Sequence, residues 1–377
     1  MMLKGSFKLG NCLAAVLSTV KAVAIIGKSE GFGSKASGGV AGPTVTPSNT
    51  VELTRYLVQE GPLNIVVEKT FDFRELQGIA WECGCAPYEI ASMCQLAINK
   101  RGWCQTVQPA APMVAMEYQK ASLYPLVVSS DKSVLGVSKK GIIRGKGFLM
   151  ADGTTNVILQ NLEIKNLNAR YKWGGDAITL DGTSNIWIDH IKTSSIGGHH
   201  IVTRNGTNAG VTMSNNFIEG QTNWSPRCDT YHHRPLSFTG ANDTITFRNN
   251  YIHHAGDRSL TLGGNSVVHL VNNLWFDITG PAIESQSSYA LLEGSVFSHV
   301  KATVGKTEGS IWAPTTDDKS CEAALGRSCI GNIYENSSSI PSNGGQPIEK
   351  VGKRAAKAVP PTRIRNLDET AGNTLLK

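Results

Sequence analysis

The sequence predicts an all-β chain wound as a right-handed parallel β-helix, with long loops pinned by disulfides. Two observations carry this. Six segments repeat an alternating apolar pattern followed by a polar turn. They begin Val157-Ile158-Leu159-Gln160-Asn161, Ile186-Trp187-Ile188-Asp189-His190, Val211-Thr212-Met213-Ser214-Asn215, Ile245-Thr246-Phe247-Arg248-Asn249, Val268-His269-Leu270-Val271-Asn272 and Ala290-Leu291-Leu292-Glu293-Gly294. Alternation with β-branched residues means short strands. Their starts lie 29, 25, 34, 23 and 22 residues apart with no helical pattern between, which is solenoid spacing. An antiparallel sandwich would want turn signals every 8–12 residues. The second observation is the fifth position, which is Asn161, His190, Asn215, Asn249, Asn272 and Gly294. Asparagine tolerates left-handed backbone and bonds to its neighbours above and below, so an asparagine ladder is expected there.

From the N-terminus, residues 1–24 read as a secretory signal. Lys4 and Lys8 precede a mostly apolar stretch, and Ala22-Val23-Ala24 supplies a small-residue cleavage site. Residues 25–377 then form one β-helix domain. A short helix over 52–59 is expected to cover its first coil. Residues 74–124 show little periodicity and read as long loops. From about 341 the chain turns Pro-, Gly- and Lys-rich, a basic C-terminal extension running outside the coils.

Composition excludes several classes. The chain has 377 residues, 40% hydrophobic and 18% charged, which suits a packed core and neither a coiled coil nor a disordered chain. No apolar run of spanning length follows the N-terminus, against a multispanning membrane protein. The net charge of +6 is concentrated at the ends. Residues 1–24 contribute +3 and residues 346–377 contribute +4, so the middle carries −1. Nucleic-acid binding wants a basic face on the folded part, so no nucleic acid and no membrane are expected as partners. The basic tail reads as a solvated terminus.

Eight cysteines are present, and Cys12 leaves with the signal. The seven others include one odd thiol, with Cys83 beside Cys85 the natural suspect. Disulfides suit an exported chain, and no CxxC pair suggests zinc. Asn205, Asn223, Asn242 and Asn336 are glycosylation acceptor triplets. His199-His200 and His232-His233 resemble metal pairs. Adjacent residues on a strand face opposite ways, so each is a poor chelate, and no metal is expected.

A β-helix exposes a long shallow groove suited to an extended polymer. The segment Tyr171-Lys172-Trp173-Gly174-Gly175-Asp176-Ala177-Ile178-Thr179-Leu180-Asp181 resembles the signature of fungal and oomycete pectin lyases, in polysaccharide lyase family 1. Trp187-Ile188-Asp189-His190 resembles a further family segment. Asn249-Asn250-Tyr251-Ile252 followed by Arg258-Ser259 resembles the strand bearing the family's essential arginine. Thr70-Phe71-Asp72-Phe73 and Cys85-Ala86-Pro87 extend the match, which runs from about Glu30 to Cys329.

The resemblance implies β-elimination on methyl-esterified galacturonan by a secreted monomer, with pectin as partner and no cofactor. Arg258 would take the C5 proton and Asp176 would line the same cleft. Trp173, Trp103 and Tyr88 would offer apolar surface to sugar rings. Cys85 would pair with Cys104, Cys94 with Cys228 and Cys321 with Cys329. An arginine base is awkward, because a guanidinium holds its proton tightly, so Arg258 can instead act as an electrostatic stabiliser. Without the resemblance, Arg258 reads as a surface arginine paired with Asp257.

Three departures stand out. The family's second arginine falls where this chain has Gly198, and Arg234 or His199 could supply the lost cation. Ser259, Leu260 and Thr261 replace the usual sequence after the essential arginine. An aromatic expected after Cys228 is replaced around His233-Arg234. Altered or weak activity is one consequence to test. Calcium-dependent pectate lysis would require a carboxylate cluster near 176–200, and a catalytically dead pectin-binding β-helix is the third reading.

Overall fold

The computed structural model describes residues 24–375, so the expected leader lies outside that range except for Ala24. The six repeat segments fall in one parallel sheet. Val157, Ile186, Val211, Ile245, Val268 and Ala290 are successive partners across it. All six are fully buried, so one repeat in sequence is one coil in space. Among the described residues the sheet holds ten strands, because Thr44–Val45, Leu63–Val67 and Lys132–Gly136 precede the repeats and Ser310–Trp312 follows them. The coil at Lys132 evades a hydrophobic pattern because Lys132 itself stands in register with Val157. Its ammonium is buried and donates to the carbonyls of Gly61 at 2.7 Å and Ser130 at 2.8 Å. Those bonds offset the cost of taking a charge out of water.

Two further faces close each coil. Glu163–Leu167, Lys192–Ile196 and Tyr251–Ala255 belong to one, and Ile178–Asp181, Ile201–Thr203, Leu236–Phe238 and Leu260–Leu262 to the other. The bent strand Leu274–Ser285 joins both. Alternate side chains point inward, and a column of Ile, Leu, Val and Phe fills the coil interior.

The fifth position of each repeat is indeed the corner. Asn161, His190, Asn215, Asn249, Asn272 and Gly294 all take left-handed backbone, with φ between 51° and 61°. The buried ladder, however, stands one residue later than expected. Asn216 Nδ2 donates to Asn250 Oδ1 at 2.9 Å, and Asn250 Nδ2 to Asn273 Oδ1 at 3.0 Å. The Asn273 amide then donates to Ser295 Oγ. The three asparagines and Ser295 are fully buried. The left-handed residue turns the chain, and the residue after it points into the stack.

Other expectations need adjustment. The helix spans Thr50–Val58, two residues upstream, because Asn49 Oδ1 accepts the Val51 and Glu52 amides and fixes its start. Leu53 and Leu57 cap the core beneath it. Within 74–124 the strands Ile79–Cys85 and Met113–Gln119 pair antiparallel, and with Leu96–Ala97 and Tyr171–Lys172 they form a small sheet. Sequence periodicity missed it because the outward residues Ile79, Trp81 and Met113 are apolar yet exposed.

The basic tail is no solvated terminus. Ile348, Val351, Ile364 and Leu367 are buried, and the tail runs back along the corner of the coils. Its Val359 amide donates to Asn272 Oδ1 at 2.9 Å, the Gly372 amide to the Asn215 carbonyl at 2.8 Å, and the Leu375 amide to Asn161 Oδ1 at 3.0 Å. The corner asparagines therefore bind the tail rather than one another. The tail's charge faces water while its apolar residues cover the stack.

Candidate active site

The face carrying Ile178–Asp181 positions the site. Ile178, Ile201, Leu236, Leu260 and Ile283 are successive partners along it. Two residues before each stand Asp176, His199, Arg234, Arg258 and Pro281, one per coil. Strand spacing of roughly 4.8 Å puts Asp176 and Arg258 about 14 Å apart along the stack. His199 and Arg234 lie between them, so the structure places both on one line of turns without bringing them into contact.

Arg258 sits in left-handed backbone, φ 57°, an uncommon conformation for a non-glycine residue. Its Nε lies 3.1 Å from Glu284 Oε2, and the side chain is 38% exposed. The contact is an ion pair by distance, without hydrogen-bond alignment. Glu284 thus corrects the simpler expectation of an Asp257 partner. No local sequence signal finds Glu284, because it belongs to the next coil.

Asp176 is held from three sides. Its Oδ1 accepts the His199 amide at 2.7 Å and meets His199 Nδ1 at 3.1 Å. Its Oδ2 accepts from the guanidinium of Arg204. Burial alone would raise the Asp176 carboxyl, but the hydrogen bonds and charge of His199, then the charge of Arg204, hold it well below the usual range. Arg204 was not singled out from the sequence. It lies five residues past His199, across the strand Ile201–Thr203. Only the coil register brings it back to Asp176.

Gly198 is more than an absent arginine. A Cβ there would lie 2.3 Å from Asp176 Oδ1 and 2.8 Å from the Gly175 carbonyl oxygen. The close approach of the two coils requires glycine.

Above these turns lies a cleft of about 320 Å³ lined by Tyr88, Trp103, Trp173, His233, Arg234 and Asp257 among others. Trp103 and Trp173 meet edge to face with centroids 6.1 Å apart. Burial raises the Tyr88 hydroxyl, opposed by the Arg234 charge. The loops bearing these aromatics are fastened by Cys85–Cys104 and Cys94–Cys228, while Cys321–Cys329 pins a C-terminal loop. Cys83 is exposed and unpaired.

The paired histidines split, although both pairs lie in the turns that precede strands Ile201–Thr203 and Leu236–Phe238 and not within strands as the expectation assumed. His200 and His232 are buried and pack edge to face at 4.7 Å. His199 and His233 line the cleft. Burial, then the charges of His199 and His233, lowers His232 to about 3, and His200 is also lowered well below its ordinary value. Such groups bind protons in the unfolded chain before the folded one. Stability is therefore complete above pH ~6.5 and lost as pH falls toward 3, by up to about 1.4 kcal/mol per pH unit for each histidine. Urea midpoints taken between pH 7 and 4.5 are expected to fall, and His232→Asn to flatten that slope. A flat wild-type profile would count against buried neutral histidines.

The carboxylates near this line have partners within the chain. Asp181 Oδ1 accepts the Gly206 amide at 2.8 Å. Asp189 is buried and accepts from Ser214, Asn215 and Gln160, so with His190 it secures the coil corner. Both oxygens of Asp176 are already engaged. Elsewhere Glu89 adjoins Cys94 and Cys228, whose sulfurs form a disulfide. His253 and His254 adjoin Asp277, with His253 Nδ1 bonded to Glu219 and His254 Nδ1 to Asp277.

The chain is similar to known proteins. A family model described as pectate lyase matches residues 105–341. The chain belongs to the pectate lyase family. Pectin lyase B of Emericella nidulans is 42% identical over 329 residues, 86% of each chain. A pectin lyase of Colletotrichum gloeosporioides is 43% identical over 356 residues, 93% of each. Among solved structures, a pectate lyase from Bacillus sp. N165 in complex with trigalacturonate aligns with TM-score 0.56 and 16% identity. It covers 92% of this chain and 99% of its own. At that identity the likeness concerns the fold, and it agrees that this pectate lyase family member is a parallel β-helix.

Proposed function

We propose that the protein cleaves methyl-esterified galacturonan by β-elimination. The observation that carries this is the line Asp176, His199, Arg234, Arg258 in a chain 42–43% identical to enzymes named pectin lyase. His199 and Arg234 line the aromatic cleft, Asp176 lines an adjoining hollow with Arg204 and Trp173, and Arg258 stands one coil beyond Arg234. A methyl ester already draws electrons from C5. Removal of the C5 proton leaves enolate-like charge on the ester. Expulsion of the C4 oxygen then forms the C4–C5 double bond, and the departing oxygen takes up a proton. A cation over the ester lowers this barrier. Arg258 acts in one of two protonation states: as a guanidinium it is that cation, and as a neutral guanidine it takes the C5 proton.

Arg204 supplies the charge that the family's second arginine would have brought, from a neighbouring position on Asp176, and His199 holds the other carboxylate oxygen. Trp103, Trp173 and Tyr88 offer ring faces to the polymer. A secreted form agrees with the disulfides and with the exposure of Asn205, Asn223, Asn242 and Asn336.

The test is ultraviolet absorbance of the conjugated product on highly methylated pectin, with and without EDTA. Product formation that EDTA leaves intact is expected. Loss of signal with EDTA would indicate a calcium-dependent pectate lyase. Binding without product would indicate a catalytically dead pectin-binding protein.

A further inference from the structure

The aromatic cleft holds two cations that the chain itself does not neutralise. Lys172 Nζ lies 5.5 Å from the Trp103 ring centre and 5.2 Å from that of Trp173. Arg234, in left-handed backbone at φ 60°, is exposed on the same cleft. Among the described residues neither side chain makes an ion pair or a hydrogen bond. The neighbouring cations do: Arg204 pairs with Asp176 and Arg258 with Glu284. The cleft's own carboxylate, Asp257, gives Arg234 only a backbone carbonyl, which accepts the Arg234 amide at 3.1 Å. Lys172 is half-buried, and burial, then the charge of Arg234, disfavours its ammonium form. Two like charges kept together beside buried apolar surface cost free energy unless an anion joins them.

We propose that this cleft is a subsite for a free galacturonate carboxylate, held by Lys172 and Arg234 with its sugar ring against the Trp103–Trp173 pair. The preferred substrate is then partly de-esterified pectin, with the methyl ester at the residue over Arg258 and a free acid close by. Arg234 stands one coil from Arg258, roughly 5 Å along the stack, so adjacent positions on one polymer can meet both. A fully esterified chain brings no anion to the pair. This substrate preference rests on the lyase reading, but the subsite itself does not.

Calorimetric titration of the full chain carrying Arg258→Ala, which stops cleavage of the ester, with trigalacturonate and with its methyl ester tests the subsite without turnover. The free acid is expected to bind about tenfold tighter than the ester, the gain of one charge-assisted contact. Arg234→Gln and Lys172→Gln are each expected to abolish that preference, and Arg234, being exposed, can be replaced without disturbing the fold. Equal or tighter binding of the ester by the protein with Lys172 and Arg234 intact would overturn the proposal, as would an undiminished preference in both variants. Acid-selective binding together with no unsaturated product from methylated pectin by the wild type would overturn the lyase reading and leave the subsite standing.

Discussion

Arg258→Lys is expected to lower turnover on methyl-esterified pectin by about 10²–10⁴, and Arg258→Ala by at least as much. Lysine keeps a positive charge but lacks the planar guanidinium whose Nε meets Glu284 while its other nitrogens stay free among the described residues. It must also adopt the left-handed backbone now held by Arg258. Because the residue sits in a turn with a half-exposed side chain, both variants should fold, so the loss is read in turnover at an unchanged melting temperature. The pH dependence separates the two roles. If the side chain removes the proton, the lysine variant gains a rate that climbs with pH as the ammonium deprotonates. If it only stabilises charge, the variant's profile keeps the wild-type shape. Full activity in Arg258→Ala would remove Arg258 from the mechanism altogether.

Gly198→Arg is the second large effect, and its direction is opposite to what family resemblance suggests. Restoring the missing arginine would appear to repair the site. The structure instead expects at least a tenfold loss of turnover and destabilisation of about 1–3 kcal/mol, the usual cost of overpacking a tight contact. Any Cβ at 198 meets the Asp176 carboxylate at 2.3 Å and the Gly175 carbonyl at 2.8 Å. Displacing that carboxylate breaks its bonds with His199 and its pairing with Arg204. Denaturant unfolding with parallel rate measurements checks both figures. A gain in turnover would show that the site tolerates a second cation here and that Arg204 is no substitute.

The repeat was legible without coordinates. Val157, Ile186, Val211, Ile245, Val268 and Ala290 mark the coil starts in sequence and in register, because a buried position in every coil must be apolar. The corner residues were legible too, since left-handed backbone favours asparagine and glycine. The ladder was misplaced by one residue, because composition cannot say which of two adjacent asparagines turns inward. The coil at Lys132 and the hairpin over 79–119 were hidden by a buried lysine and by exposed apolar side chains, which invert the usual pattern.

For the site, local motifs drew attention to Arg258, Asp176, Trp173 and Gly198, all carried by short segments with recognisable neighbours. Arg204 and Glu284 carry no such local signal. Each meets its partner across a coil, and coil lengths of 22 to 34 residues make that partnership invisible to spacing along the chain. The sequence by itself determined the stack, its corners and one arginine. Tertiary structure alone decided which charges neutralise one another, because a solenoid sets neighbours by register between coils and not by distance along the backbone.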